Sequence, residues 1–168
     1  GEPARCVAAA RGLPGGAAGV NIFRPGEGLH ARSIPPVRPE GLSCYLVSTA
    51  AEGVFVEAAE ERGVPESYCS YHKILLGLAE TGVMARPRFI LNTSLACDAN
   101  QLTFRRLAAF WDVPRFTVDV PYAPSEESVA PVAEQLRAMA AFVQAPGGPP
   151  PAGDAPRAPV ARPRATRA

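Results

Sequence analysis

The stretch CSYHKILLGLAETGVMARPRFILNTSLACDANQLTFRRLAAFWDVPRFTVDV, residues 69–120, decides the fold class of this 168-residue chain. Its apolar spacing predicts a helix over 71–81 and a buried strand within 88–94, followed by a second helix that ends near Trp111 and a second strand within 115–120. Helices that alternate with short buried strands are typical of right-handed crossovers in a parallel sheet.

The same alternation continues on both sides of this stretch. A helix is predicted over 50–62, with Gly63 as its stop, and another opens at Ser125 and runs to Phe142. Pro131 either kinks this last helix, or the helix begins nearer Ser128 and Pro131 falls in its first turn. We therefore predict an α/β fold with a Rossmann-like or flavodoxin-like parallel sheet, flanking helices, one incomplete domain and a disordered C-terminal tail.

The helix after the first strand carries the most specific packing predictions. Asp98 or Asn100 is expected to cap its N-terminus. Leu102, Leu107 and Trp111 recur at helical spacing and are expected to face the core.

Composition divides the chain into three regions. Residues 1–19 are rich in Ala, Gly and Arg without a period and are predicted to be an irregular N-terminal segment. Residues 20–145 hold the α/β domain. Residues 146–168 contain seven prolines and only one aliphatic residue larger than alanine, Val160. Because such a segment buries too little to offset its ordering entropy, we expect a disordered tail.

Charge and hydropathy exclude several classes of partner. Four Arg and one Asp give residues 146–168 a charge of +3, which leaves −2 on the other 145 residues, with 13 basic and 15 acidic side chains. The body therefore lacks the basic footprint of a nucleic-acid-binding protein. No apolar run is long enough for a membrane span or for a signal peptide. We expect a cytoplasmic protein that binds neither nucleic acid nor membrane.

Cys69 and Cys97 occupy matched positions, each directly before a predicted helix. A cysteine at a helix N-terminus lies among unpaired backbone N–H groups, which favour the thiolate, the form that ligates metals. Cys97 also follows a strand, and ligands gather at the carboxyl ends of parallel strands. The four cysteines include no CxxC pair, so any metal site must be assembled from separate loops.

Three other interpretations of these cysteines remain open from spacing alone. Free cysteine is among the most buried residue types, so the thiols can be core residues. Cys69, His72, Cys97 and Asp98 can also form a zinc site. A nucleophilic Cys–His pair is the third, although neither His30 nor His72 has a visible orienting partner.

Four segments carry a resemblance to a known family. The words GLSCYL, ESYCSYHKILLG, NTSLACDANQLTFRRLA and VPRFTVDVPY are similar to those of the 2-hydroxyacyl-CoA dehydratase family, which includes the benzoyl-CoA reductase subunits. The resemblance runs from about Asn21 to about Phe142. It implies Rossmann-like α/β domains and an oxygen-sensitive [4Fe–4S] cluster held by three cysteines from separate loops.

The resemblance assigns ligands only where the motifs match. Cys69 stands at the CSY cysteine and Cys97 at the CDA cysteine, so both are expected to bind the cluster. The third cysteine of the family lies far downstream in a second domain, so the resemblance implies a third ligand outside this chain. Neither Cys6 nor Cys44 is placed to replace it. Glu27, in a PGE motif, and His72 are weak candidates for catalytic residues.

The resemblance implies that the chain is an N-terminal, truncated part of a dehydratase subunit, inactive alone. Expected partners are a second subunit or the missing C-terminal domain, an ATP-dependent iron–sulfur activator and an acyl-CoA substrate. The intact enzyme would eliminate water from a 2-hydroxyacyl-CoA through a ketyl radical, giving a 2-enoyl-CoA. A benzoyl-CoA reductase-type subunit and a non-enzymatic α/β binding module are the alternatives.

Overall fold

A computed structural model describes residues 16–22, 27–30, 32–95, 97–123 and 125–145. Within these residues four strands form one sheet: β1 (Ala18–Val20), β2 (Pro36–Val37), β3 (Phe89–Thr93) and β4 (Arg115–Val118). Six helices accompany them: α1 (Glu27–His30), α2 (Pro39–Ser48), α3 (Gly53–Glu61), α4 (Ser70–Glu80), α5 (Asp98–Trp111) and α6 (Glu126–Gln144). The predicted α/β fold is confirmed.

The sheet is parallel throughout its described part, in the order β2-β1-β3-β4. The register between the two inner strands places Ala18 beside Phe89 and Val20 beside Leu91. The chain moves outward from β1 to β2 and then crosses back over β1 to form β3. The carboxyl ends of β1 and β3 therefore flank the topological switch point, the place where parallel sheets of this kind bind ligands.

Helices cover both faces of the sheet because its inner strands are apolar on both sides. β3, FILNT, is buried at all five positions, as expected for a strand covered on two faces. One face packs against α2, α3, α4 and α5, and the other packs against α1 and α6. On the second face Phe142 contacts Phe89 edge-on, with ring centroids 5.8 Å apart.

Local signals in the sequence account for the helix ends. α3 and α4 each stop before a glycine with a left-handed backbone, Gly63 at φ 84° and Gly82 at φ 70°. α6 begins after Ser125, whose hydroxyl accepts a hydrogen bond from the Ser128 N–H in a capping box. Pro131 lies inside α6, so the prediction of a start near residue 128 is wrong and the helix continues through the proline.

Two details predicted for α5 are wrong. Its N-cap residue is Cys97, and neither Asp98 nor Asn100 caps the helix, since Asp98 is its first residue and Asn100 points into the protein. Leu102 is 54% exposed, whereas Leu107 is buried as predicted. In this turn of the helix the buried polar residue Thr103 faces the core, at the position predicted for Leu102.

The strand β1 crosses the predicted boundary at residue 20, because it begins at Ala18 and forms an inner strand of the sheet. The rest of the predicted irregular segment and the whole of the predicted tail, 146–168, lie outside the described residues. Among the helices that the structure describes, none combines the length and hydropathy needed to cross a membrane.

Candidate functional site

Cys69 lies at the N-terminus of α4, as predicted. Its backbone carbonyl accepts hydrogen bonds from the N–H groups of His72 and Lys73, both at 2.9 Å, which close the first turn of the helix. The residue is exposed and its thiol is free. No side chain caps this helix end, so the thiol lies beside unpaired N–H groups and the positive end of the helix dipole.

Cys97 occupies the equivalent position on α5. Its extended backbone, with φ −158° and ψ 161°, brings the chain from the end of β3 into the helix, and its carbonyl accepts the Asn100 N–H at 3.2 Å. This thiol is also free and exposed. The expectation that the cysteines are buried core residues is therefore wrong for Cys69 and Cys97, and also for Cys44.

Tyr68 connects the two cysteine-bearing loops. Its hydroxyl donates to the Ala99 carbonyl, in the first turn of α5, at 2.8 Å and lies 3.0 Å from the Thr103 hydroxyl. Burial raises the pKa of Tyr68, and negative charge on Cys97 and on Cys69 raises it further. Tyr68 thus ties the residue before Cys69 to the first turn of the helix that follows Cys97.

His72 faces Cys97 from the first turn of α4. Its Nε2 lies 3.8 Å from the Cys97 Sγ, and its ring meets Tyr68 and Tyr71 edge-on, with centroids 6.4 and 6.0 Å apart. Burial lowers the pKa of His72, so the neutral ring is favoured. Its Nδ1 is buried without a hydrogen-bond partner. The tautomer protonated at Nε2 gives that N–H a partner in the sulfur and leaves Nδ1 as a bare acceptor.

Cys44 contacts a different tyrosine of the same region. The Tyr71 hydroxyl donates to the Glu40 carbonyl at 2.5 Å, so the Cys44 thiol, 3.1 Å away, is the donor to the phenol oxygen. Burial, followed by the contact with Cys44, raises the pKa of Tyr71 well above its ordinary value. Cys44 thus has a local partner of its own.

Buried polar side chains fill the switch point beneath Cys97. Asn21, directly after β1, accepts the Thr93 N–H at 3.3 Å and donates to the Thr93 hydroxyl at 3.2 Å. Asn100 donates to Glu40 Oε1 at 3.1 Å, and the Ile22 N–H donates to the same oxygen at 3.2 Å. These bonds join the ends of β1 and β3 to the first turns of α2 and α5.

Glu40 is the least expected member of this network. It is only 2% exposed, and its Oε2 has no hydrogen-bond partner. Burial raises the pKa of its carboxyl group, against the lowering effect of the bonds from Ile22 and Asn100. Glu40 was not predicted as a site residue, because a single carboxylate after Pro39 has no pattern that separates it from a surface residue.

The remaining candidates from the sequence are Asp98, Glu27 and Cys6, and within the described residues no metal site joins any of them to the two thiols. Asp98 is exposed beside Cys97. Within the described ranges no three His, Cys, Asp or Glu side chains are arranged to hold a metal ion, so the zinc site from Cys69, His72, Cys97 and Asp98 is not formed. Glu27 is the first residue of α1, but its side chain lies outside the described residues, as does Cys6.

The fold and the arrangement of the two thiols together define the class of this protein. The chain is a flavodoxin-like α/β protein whose parallel sheet presents, near its switch point, two exposed thiols at the N-termini of successive helices. The sequence model of HGD-D, described as 2-hydroxyglutaryl-CoA dehydratase, D-component, matches residues 3–149. The chain belongs to this family of dehydratase subunits. No curated protein matches it.

Proposed function

We propose that this chain is a subunit of an iron–sulfur 2-hydroxyacyl-CoA dehydratase and that Cys69 and Cys97 supply two of three thiolates for a [4Fe–4S] cluster. The observation that carries the proposal is the matched placement of two free, exposed thiols at the N-termini of α4 and α5, whose loops the Tyr68 hydroxyl connects. The match to the dehydratase D-component favours this function over a reductase of aromatic thioesters and over a non-enzymatic binding module.

The donor set fits part of such a cluster. Thiolate is the ligand that iron–sulfur clusters take from proteins, and both thiols are unpaired by disulfides and reachable from solvent. Backbone N–H groups at the starts of α4 and α5 are available to hydrogen-bond cluster sulfur atoms. Two thiolates are too few, and the described residues contain no group of three metal-binding side chains. A third ligand therefore comes from elsewhere.

Held by Cys69, Cys97 and a third thiolate, the cluster would supply one-electron chemistry to the substrate thioester, as proposed for elimination of water through a ketyl radical. The protein contributes binding, orientation and electrostatics. His72 places its Nε2 3.8 Å from the Cys97 sulfur, and Tyr68 holds the two cysteine-bearing loops together. The buried carboxyl group of Glu40 fixes the first turn of α5 through Asn100.

The proposed partners follow from the family match and from the two-thiolate ligand set proposed for the described residues. A second subunit or a further domain supplies the third thiolate, and an ATP-dependent iron–sulfur activator supplies the electron. The substrate is an acyl-CoA. We place the dehydratase domain at residues 20–145, with β1 extending it to Ala18, and the protein in the cytoplasm, where reducing conditions keep such thiols free. The chain alone is expected to be inactive.

An activity assay tests this function. The chain is reconstituted anaerobically with iron and sulfide, then given ATP, a dehydratase activator protein and 2-hydroxyglutaryl-CoA, with and without the second subunit of a dehydratase. Formation of the 2-enoyl-CoA is followed by chromatography. We expect product only when the second subunit is present. Product from the chain alone would contradict the proposed inactivity, and no product in either mixture, with iron bound, would contradict the dehydratase function.

A further inference from the structure

The segment that leads into Cys69 is fixed at three points. The Tyr68 N–H donates to the Pro65 carbonyl at 2.9 Å, which forms a turn. The Lys73 Nζ donates to the Glu66 carbonyl at 3.0 Å. The Tyr68 hydroxyl donates to the Ala99 carbonyl at 2.8 Å. The first bond closes a turn within the segment, the second holds the segment to its own helix, and the third crosses to α5.

The hydrogen bond from Tyr68 to Ala99 connects the two cysteine-bearing loops close to both cysteines. Tyr68 precedes Cys69 by one residue, and Ala99 follows Cys97 by two. Because the phenol has one proton, and this proton goes to Ala99, the fully buried Thr103 hydroxyl is the donor to the phenol oxygen. The phenol is thus bound on two sides by the first turns of one helix.

We propose that Tyr68 is a positioning residue that sets the separation of Cys69 and Cys97. The cysteines lie 28 positions apart in the sequence, and each is exposed at the end of a loop, so neither thiol is fixed by burial. The remaining link between them, from His72 to the Cys97 sulfur, is longer at 3.8 Å and involves sulfur, a weak hydrogen-bonding partner. The Tyr68 hydroxyl is the shortest hydrogen-bonded connection between the loops in the described part of the chain.

The role of Tyr68 in cluster binding rests on the proposed function, because a cluster needs its thiolate ligands at a fixed distance from each other. The arrangement itself does not depend on iron. Tyr68→Phe keeps the ring and its edge-on contact with His72, and removes only the hydroxyl and its two hydrogen bonds. Tyr122→Phe is the matched control, since Tyr122 is fully exposed.

The test measures the distance between the thiols by EPR in the full chain without iron. Cys6 and Cys44 are replaced by serine, and spin labels are attached to Cys69 and Cys97. Tyr68→Phe is expected to broaden the distribution of label distances, and Tyr122→Phe to leave it unchanged. A second labelled pair, at Glu57→Cys on α3 and Arg137→Cys on α6 in a protein without native cysteines, reports on the whole fold.

Broadening confined to the Cys69–Cys97 pair supports the proposal. An unchanged distribution in Tyr68→Phe overturns it, and so does equal broadening of both pairs, which would mean a general loss of packing. In iron-loaded protein, Tyr68→Phe should release iron to a chelator about tenfold faster, as for other residues that orient metal ligands. If the chain binds no iron, the proposed function fails while the distance result remains informative.

Discussion

The Nε2 of His72 lies 3.8 Å from the Sγ of Cys97, across the gap between two helix N-termini. A neutral imidazole protonated at Nε2 offers this sulfur a hydrogen-bond donor without adding a positive charge to the site. The contact joins a buried side chain to an exposed one, so it fixes one face of Cys97 and leaves the other open.

Replacing His72 with phenylalanine keeps an aromatic ring against Tyr68 and Tyr71 but removes the N–H donor. We expect alkylation of Cys97 at neutral pH to slow by roughly three- to tenfold, because a hydrogen bond of about 1 kcal/mol to the thiolate is lost. Peptide mass spectrometry measures the rate at each cysteine. His30→Phe, on the exposed end of α1, is the control, and an equal or faster rate at Cys97 in His72→Phe would refute the assignment.

Glu40 predicts a pH dependence of stability. Burial raises the pKa of its carboxyl group above the ordinary 4.5, so the folded state holds this proton longer than the unfolded state does. The contribution of Glu40 is fully present below pH 4.5 and is lost as the pH rises from 4.5 through the raised pKa. Glu40→Gln has no carboxyl group to ionise, so its free energy of unfolding should not show this loss.

The check is urea unfolding of wild type and Glu40→Gln between pH 4 and pH 8, roughly the range in which most proteins are most stable. The free energy of unfolding of wild type minus that of Glu40→Gln should decrease as the pH rises. Glu57→Gln, an exposed position on α3, should give no such trend. Parallel profiles for wild type and Glu40→Gln, or an increasing difference, would show that the carboxyl group is not destabilised by burial.

The ion pair between Lys73 and Glu60 predicts an asymmetry between its two partners. The Lys73 Nζ lies 2.5 Å from Glu60 Oε1, and the two side chains are 5% and 30% exposed. Glu60→Gln leaves a buried ammonium group and should cost on the order of 3 kcal/mol of unfolding free energy. Lys73→Met leaves a partly hydrated carboxylate and should cost about 1 kcal/mol. Chemical unfolding at pH 7 shows which variant loses more unfolding free energy. A larger loss in Lys73→Met than in Glu60→Gln would contradict the predicted asymmetry.

Gly77 marks the closest approach of α3 and α4. A Cβ at this position would lie 1.9 Å from the backbone oxygen of Phe55, a distance that no side-chain movement relieves. Gly77→Ala should therefore destabilise the protein by about 3 kcal/mol or more, as overpacking of a rigid contact does. Gly41, in the first turn of α2, has nothing within 4 Å, so Gly41→Ala is expected to leave stability unchanged or raise it. Thermal unfolding compares Gly77→Ala with Gly41→Ala. Similar midpoints for the two variants would contradict the close approach of Gly77 to the Phe55 backbone.

Long periodic segments made much of the fold predictable. The apolar spacing of Ile74, Leu75 and Leu78 and the continuous run in β3 come from burial against the same sheet, and burial leaves a pattern in sequence. β1 and β2 could not be predicted in this way, because strands of three and two residues are too short to show a period. Their positions are set by pairing with β3 and with each other.

The site was predictable in its thiols and in His72, which lies 3.8 Å from the Cys97 sulfur. A cysteine before a helix is visible in sequence, whereas the supporting contacts join residues far apart, such as Tyr68 with Ala99 and Glu40 with Asn100. Polar residues that bond each other inside a fold look like surface residues in a sequence. Leu102 shows the reverse case, since an apolar residue at helical spacing proved to be exposed.

Iron binding by the cysteine variants tests the central claim most directly. The full chain, a Cys44→Ser variant and a Cys69→Ser, Cys97→Ser double variant are reconstituted anaerobically with iron, sulfide and dithiothreitol, whose thiolate can complete the two-cysteine ligand set. Bound iron is counted alongside the visible absorption of a ligated cluster. The account predicts iron and absorption in wild type and in Cys44→Ser, and neither in the double variant. Equal iron in all three proteins, or its loss in Cys44→Ser alone, would show that Cys69 and Cys97 are not the ligands.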